Sequence, residues 1–289
     1  MAKKSNKSLP LVTIVLPVYN EELFIQETFE SIQAQDYENL EILISDNHSS
    51  DATTRLCHEF ARRDQRIKFF EQSSNIGAIA NQSFLASKAK GKYIILTAGH
   101  DRWTTNYISA NVKALENHPS SVLSYGTPCW IDEEGVPFER FSGWYDTRGL
   151  TTVSRFFFVF WGKANPILGL IRRDKFPDMT DYNFVGADNV ILCLLSLRGE
   201  FVHTVNSTFF RRQNRHPENH NERLKRYVSD EMKISTSFLT LLFPLLRMPL
   251  ELCKAVLTSP LSFANKFAIL LLLLPAIPIK YFTEKSANR

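Results

Sequence analysis

The chain is short of cysteine, of net charge and of long apolar runs, and each shortage removes a class of protein. Its four cysteines, Cys57, Cys129, Cys193 and Cys253, stand singly at wide spacing. That pattern has neither the paired ligands of a zinc site nor the density of a disulfide scaffold, and a reducing compartment is the simplest expectation. Thirty-four basic and 30 acidic residues leave a net charge of +4, too weak a bias to suggest nucleic acid as a partner. The excess sits at the end of the chain, where ten Lys/Arg stand against five Asp/Glu from Asn221 onward, leaving −1 for the first 220 residues. Phe267 to Ile279 is an unbroken apolar run of only 13 residues, against the roughly 20 that a spanning helix needs. Met1 to Lys7 is polar and the next apolar stretch is short and contains Pro17, so no signal peptide is expected.

Familiar cofactor motifs are missing too. The first apolar run leads into Tyr19-Asn20-Glu21-Glu22 rather than Gly-x-Gly-x-x-Gly, which argues against a dinucleotide-dependent dehydrogenase. Gly91-Lys92 and Gly162-Lys163 are followed by Tyr and Ala, not Ser or Thr, so neither makes a P-loop. His216 and His220 are four apart, but no Glu directly follows His216, and the zinc-protease pattern fails.

What is present is an ordinary globular composition, 44% hydrophobic and 22% charged. Up to about residue 126, short β-rich runs alternate with helical patterns, the signature of a parallel sheet with crossover helices. The strand runs are Leu11 to Leu16, Leu40 to Ile44, Ile67 to Phe70, Tyr93 to Leu96 and Val122 to Tyr125. Between them Ile25, Phe29 and Ile32, then Leu56 and Phe60, Phe84 and Leu85, and Ile108, Val112 and Leu115 mark helices. From Pro128 to Trp161 the periodicity fades, and Asp132-Glu133-Glu134-Gly135 predicts a hairpin followed by a mobile segment. Order is expected again at Pro166 to Ile171, in a helix over Gly186 to Leu197 and in a strand over Phe201 to Val205.

In an open parallel sheet, ligands bind beyond the carboxyl ends of the strands. Three of those ends gather acids and amides: Pro17-Val18-Tyr19-Asn20-Glu21-Glu22, Ser45-Asp46-Asn47-His48-Ser49-Ser50-Asp51 and Gly99-His100-Asp101. In this order the stretches resemble the family-2 glycosyltransferases, whose GT-A fold binds a nucleotide sugar. The likeness continues through Ser74-Asn75-Ile76-Gly77, Gly91-Lys92-Tyr93, Asn165-Pro166-Ile167, Arg172-Arg173 and Gly186-Ala187-Asp188, and spans roughly residues 9 to 215. It implies an α/β fold with a mostly parallel, Rossmann-like sheet flanked by helices. The expected division is a GT-A domain over 1–225 and an apolar helical segment over 226–289.

The resemblance implies that Pro17, Tyr19, Glu21, Asp46, Asn75, Gly77 and Arg212 meet the nucleotide sugar. Asp46, acceptor-only as a carboxylate, suits the N–H edge of uracil, thymine or guanine. A UDP-sugar is the leading donor, with GDP and dTDP sugars as alternatives. Asp46 and Asp51 also precede a helix and are suited to cap it. For the divalent cation, Mg²⁺ or Mn²⁺, the family uses an Asp-x-Asp or Asp-Asp pair, whereas this chain offers Gly99-His100-Asp101-Arg102. Asp101 is the expected ligand and His100 a second one, or else Arg102 meets the diphosphate directly. Asp188 holds the position of the catalytic base of an inverting transfer, although the start of a helix favours its anion and would lower its basicity. Arg211, Arg212, Arg215 and His216 follow the last strand, where the family places cations for the diphosphate. Trp130, Trp144, Tyr145 and Trp161 are suited either to stack on acceptor sugars or to fill core.

The tail from Phe238 to Leu257 is apolar but interrupted by Pro244, Arg247, Pro249, Glu251 and Lys254, and Pro275 and Pro278 break the run that follows. Interfacial or re-entrant helices on an anionic membrane, or a buried helical hairpin, both fit. The expectation is an inverting glycosyltransferase, peripheral at the cytoplasmic face of the cell membrane, that acts on a glycan or lipid-linked acceptor. The rival is a membrane-docked GT-A module that binds a nucleotide sugar or a partner enzyme without transfer.

Overall fold

The computed structural model describes residues 9–140, 142–143, 146–182, 184, 186–213 and 247–287. The expectations on Trp144, Tyr145, Arg215, His216, His220, Pro244 and the 225/226 boundary lie outside the described residues.

Apolar runs without alternation build the centre of the sheet. β1 (Val12–Val18) is buried except at Pro17, and β2 (Leu40–Asp46) is buried throughout. Strands buried on both faces need a layer on each side. Successive side chains point to opposite faces, so Val12, Ile14 and Leu16 join one core with Ile25, Phe29 and Phe60, while Val15 joins the other with Leu85 and Phe156. The covering helices here are α1 (Ile25–Gln33), α2 (Thr53–Arg63) and α3 (Ala78–Lys88). With β3 (Ile67–Glu71) and β4 (Tyr93–Leu96), β1 and β2 form the parallel block β3-β2-β1-β4.

Beyond β4 the sheet becomes mixed. β5 (Arg102–Trp103), α4 (Tyr107–Asn117), β6 (Ser121–Ile131), β7 (Pro137–Phe138), β8 (Leu170–Arg172) and β9 (Glu200–Arg212) complete the order β3-β2-β1-β4-β8-β6-β9-β5. β8 runs antiparallel between β4 and β6, and β9 lies parallel to β6. The expected hairpin is β6–β7, where Asp132 accepts the N–H of Val136 at 2.7 Å.

Part of the segment expected to be mobile is a helix, α5 (Thr152–Trp161), capped by the Thr151 hydroxyl, which accepts the N–H of Ser154 at 3.3 Å. Six consecutive large apolar residues, Phe156 to Trp161, conceal its amphipathic period. Next to it lies α6 (Ala187–Arg198), nearly all of whose residues from Ala187 to Leu197 are buried. A helix that is apolar all round must be enclosed; α5, β6 and α7 (Arg247–Thr258) surround it. α8 (Phe263–Ala287) then packs on α5 and α7.

The expected break at Pro275 and Pro278 does not occur, since α8 continues through both. An interior proline forfeits a backbone hydrogen bond and costs roughly 3 kcal/mol. Here Ile269, Leu273 and Ala276 offset the loss by packing into the same core as α5 and α6.

Candidate active site

Neighbours are added to β1 on both sides, β2 on one and β4 on the other, and such a switch point leaves a crevice beyond the strand ends. The crevice is a cleft of about 760 Å³. One wall is Pro17 to Glu21 with Asn47 and Asn75, the floor is Leu96 to Ala98 with His100 and Asp101, and the far wall is Ile167, Met179, Tyr182, Phe184 and Asp188. Arg211 reaches in from the end of β9.

The loop after β4 is pressed against the loop after β1. A side chain at Gly99 would stand 2.8 Å from Cγ of Glu21 and 3.2 Å from Val18, so only glycine lets the loops meet. Across that contact the Glu21 carboxylate accepts from Nδ1 of His100, at 2.8 and 3.0 Å to its two oxygens. In the neutral ring, Nδ1 as donor leaves the lone pair on Nε2, the arrangement typical of metal-binding histidines. Asp101 is buried, and its Oδ1 accepts the N–H of Arg212 at 2.9 Å. Burial pushes the Asp101 carboxyl above the usual carboxylate range, against the opposing pull of His100, the Arg212 N–H and Arg211.

Asp188 stands in the first turn of α6, just after the left-handed Gly186 (φ +91°). Water reaches its side chain from the cleft, but protein surrounds it. Loss of bulk solvent pushes its carboxyl up, opposed by the charge of Arg211. Arg211 is therefore the cation common to Asp101 and Asp188. It is steadied by Asn165, whose Oδ1 accepts at 2.6 Å, and by the Trp130 ring 4.9 Å away.

Residues 13–166, just over half the chain, match the family described as Glycosyl transferase family 2. The chain belongs to glycosyl transferase family 2. A GalNAc(5)-diNAcBac-PP-undecaprenol beta-1,3-glucosyltransferase from Campylobacter jejuni is 28% identical over 136 residues, 47% of this chain and 43% of the relative. A glycosyltransferase from Haemophilus influenzae is 29% identical over 129 residues, 44% of this chain and 51% of the relative. The chain thus spans about half the length of the curated relatives it matches. Among solved structures, S. aureus TarS in complex with UDP-GlcNAc superposes with a TM-score of 0.67 at 16% identity, covering 91% of this chain and 71% of that one. GalNAc-T7 with UDP, GalNAc and Mn²⁺ gives 0.54 at 15% identity, covering 73% and 45%. At such identities the likeness is one of fold, and the fold is GT-A.

Of the site residues that the family-2 resemblance implied, Pro17, Tyr19, Glu21, Asn75, His100, Asp101 and Asp188 line the one cleft. Three others stand behind its walls. Asp46 is buried, and its carboxylate accepts from the N–H and hydroxyl of Ser49 and from the Thr54 hydroxyl, 2.7 Å away. It fastens its own loop. Asp51 serves the start of α2, accepting the N–H of Thr53 at 2.9 Å. Gly77 opens α3 with φ +85°, a conformation that favours glycine, and its N–H bonds to Asn75, which also accepts from Asn47.

Arg212 is wholly buried at its side chain. It pairs with Glu27 of α1 at 2.7 Å and donates to the carbonyls of His100, Asp132 and Glu133. Adjacent residues of a strand face opposite ways, so the cation that enters the cleft is Arg211 and not Arg212. Arg102 points away as well, toward Glu27 and the Gly135 carbonyl. Trp130 and Trp161 are not among the cleft residues. Sequence reasoning passed over Asn47, although it lies inside the quoted Asp46 stretch; its bond to Asn75 and its acceptance of the Ile76 N–H tie two loops together.

Among the described residues no group of three metal-ligating side chains occurs. The donor side chains that line the cleft there are Asp101, His100 and Glu21. That set suits an ion such as Mg²⁺ or Mn²⁺, which is commonly held by one or two carboxylates with phosphate oxygens completing the shell.

Proposed function

We propose that the chain is an inverting glycosyltransferase that moves a sugar from a nucleoside diphosphate to a glycan or lipid-linked acceptor. The observation that carries this reading is one cleft with Asp101 on its floor, Asp188 on its far wall and Arg211 acting on both.

The donor lies along the near wall. Tyr19, 46% exposed, offers an aromatic face for the base. Pro17, Glu21 and Asn75 shape the nucleoside pocket, with Asp46 and Gly77 holding its loops from behind. Arg211 meets the diphosphate as a charge-assisted donor. Bound UDP in TarS and in GalNAc-T7 supports a UDP-sugar ahead of GDP or dTDP sugars. Mg²⁺ or Mn²⁺, held by Asp101 with His100 beside it, would neutralise charge on the departing diphosphate.

Asp188 takes the proton of an acceptor hydroxyl while that oxygen bonds to the anomeric carbon from the side opposite the diphosphate. The carbon–oxygen bond to the diphosphate breaks, its electron pair leaves with the phosphate oxygen, and the configuration inverts. A carboxylate with a raised pKa is the better base. Residues 1–225 carry this chemistry, and 226–289 hold the enzyme at the cytoplasmic face of a membrane. Support comes from the undecaprenol-linked substrate named for the Campylobacter relative and from Phe263–Lys280, an 18-residue stretch of mean hydropathy 1.6.

Titration of UDP, GDP and dTDP sugars with and without Mn²⁺ identifies the donor. The Asp188→Asn variant is expected to bind it as well as the parent and to transfer it about 10²- to 10⁴-fold more slowly. Unchanged turnover in the variant, or a product with retained anomeric configuration by NMR, rejects the mechanism. Tight donor binding by the parent with no transfer to any acceptor favours the non-catalytic module instead.

A further inference from the structure

The two faces of α8 differ in what they touch. Ile269, Leu273, Ala276 and Lys280 recur at steps of four, three and four and are buried against the protein. The Lys280 ammonium donates to the Phe160 carbonyl and sits 4.8 Å from that residue's ring. Phe263, Phe267, Leu271 and Leu274 recur at similar steps on another side, and are 83%, 58%, 53% and 72% exposed. Phe158 and Trp161 of α5, on which α8 packs, are also about half exposed. Isolated apolar residues on a surface are unremarked, but a stripe of this size marks an interaction site.

We infer that this stripe of α8, with the end of α5, lies flat in the surface of an anionic bilayer while the other side of the helix stays in the protein core, so that α8 docks without spanning. The inference rests on the membrane reading above and specifies its geometry. A spanning α8 would have to withdraw Ile269, Leu273 and Ala276 from the core shared with α5 and α6. Charge selects the occupant. With Lys280 buried in the protein and Arg247 turned to the cleft wall, the cations of residues 247–280 left to meet lipid are Lys254 and Lys266, against Glu251 alone, a net positive charge that attracts acidic headgroups. A second copy meeting the same face about a two-fold axis would set those cations against their own kind.

The face is also joined to the cleft. α7 begins at the far wall, with the Arg247 guanidinium 4.9 Å from the Phe184 ring and the Met248 sulfur 3.8 Å from where a side chain at Gly186 would begin. Membrane contact therefore puts the Asp188 side of the cleft within one short helix of the lipid, the side on which an acceptor with a lipid anchor would arrive.

The full-length chain is mixed with vesicles of phosphatidylcholine alone or with added phosphatidylglycerol. Binding is expected only to the acidic vesicles, weakening with salt. Phe263→Ser, Phe267→Ser and Leu274→Ser together should reduce it by about tenfold or more with the thermal transition unchanged. With the four native cysteines replaced by alanine, single cysteines at Ser262 and Ser286, on either side of the apolar stretch, should both react with a membrane-impermeant maleimide added outside the vesicles. Protection of one of them shows a spanning helix and overturns the proposal, as does vesicle binding unaffected by the triple variant. A stable dimer by light scattering that binds no vesicles overturns it in favour of a second copy. Donor affinity, measured separately by calorimetry, tests the glycosyltransfer reading, so the two fail independently.

Discussion

Glu41 and Glu116 at one edge of the central sheet, and Asp101 and Asp188 at the other, are treated in opposite ways. At the edge where the strands begin, Glu41 takes the Thr13 hydroxyl at 2.8 Å, the Lys68 ammonium at 2.6 Å and the Lys90 N–H at 2.9 Å. Burial alone would raise its pKa, but those donors together hold it below the usual carboxylate range. Glu116, bonded to Lys92 and Tyr93, is lowered by the same kind of contact. At the edge where the strands end, burial pushes Asp101 the other way, and the protein crowded around the cleft does the same to Asp188, whose side chain is open to the cleft. Acids at the first edge are spent on holding the fold. At the second, Asp46 and Asp51 still hold their loops, but Asp101 and Asp188 are left poised to exchange protons or bind cations, which is where perturbed groups mark function.

The largest test of that contrast is catalytic. Asp188→Asn should lower turnover by about 10²- to 10⁴-fold, whereas Glu41→Gln should leave it within about twofold at a temperature where both variants are folded; initial rates with the chosen donor decide. Next in size is the pair at the end of β9. Arg212→Met removes the guanidinium's bonds to the His100 and Glu133 carbonyls and to Glu27, the Asp132 carbonyl keeping the Gly135 N–H, and should cost about 2–4 kcal/mol of stability in urea unfolding. Arg211→Met should leave the urea midpoint nearly unchanged and weaken donor binding by about tenfold or more. If the two variants exchange these effects, the assignment of Arg211 to the cleft is wrong.

Smaller still is Glu41→Gln, which should cost about 1–2 kcal/mol at pH 7, the half-exposed Lys68 limiting the gain from its charge. The pH dependence carries a sign. Glu41 has a lowered pKa in the fold, so its contribution is present above its unfolded value near 4.5 and is lost as the pH falls through the folded value. Asp188 has a raised pKa, so the fold is favoured below its unfolded value near 3.8, and that advantage is lost as the pH rises through the folded value. At pH 7, therefore, Glu41→Gln should lower the thermal midpoint and Asp188→Asn should raise it slightly. A drop in both would erase the distinction between the edges.

The parallel block was legible because its residues report one thing at a time. Leu40 to Ile44 and Tyr93 to Leu96 are apolar on both faces, and the polar stretches that follow them can only lie beyond the strand ends. Two sides of the cleft were legible for the same reason, down to Tyr19 and Asp101, whereas Asp188 on its far wall came only from the family-2 resemblance. Three features were concealed by physics that a linear reading does not contain. In α5 the run of aromatic residues serves two packing partners at once, α6 and α8, so no polar face remains to reveal a period. In α8 two prolines read as breaks, because the packing that offsets them is contributed by residues a hundred positions away. Arg211 and Arg212 are chemically identical neighbours, and which of them faces the cleft depends on the direction of β9 in the sheet. Alternation says that they differ; only the sheet says which is which.

Leu252, Val256, Ile269 and Leu273 are buried in one core with residues of α5 and α6. A C-terminal segment attached in this way is not a detachable accessory. Anyone trading it between members of the family to redirect an enzyme to another membrane would have to trade the matching outer surfaces of α5 and α6 with it. A chain cut back to its catalytic part would carry a greasy scar in place of the missing helices, and would clump where a cleaner version had been hoped for.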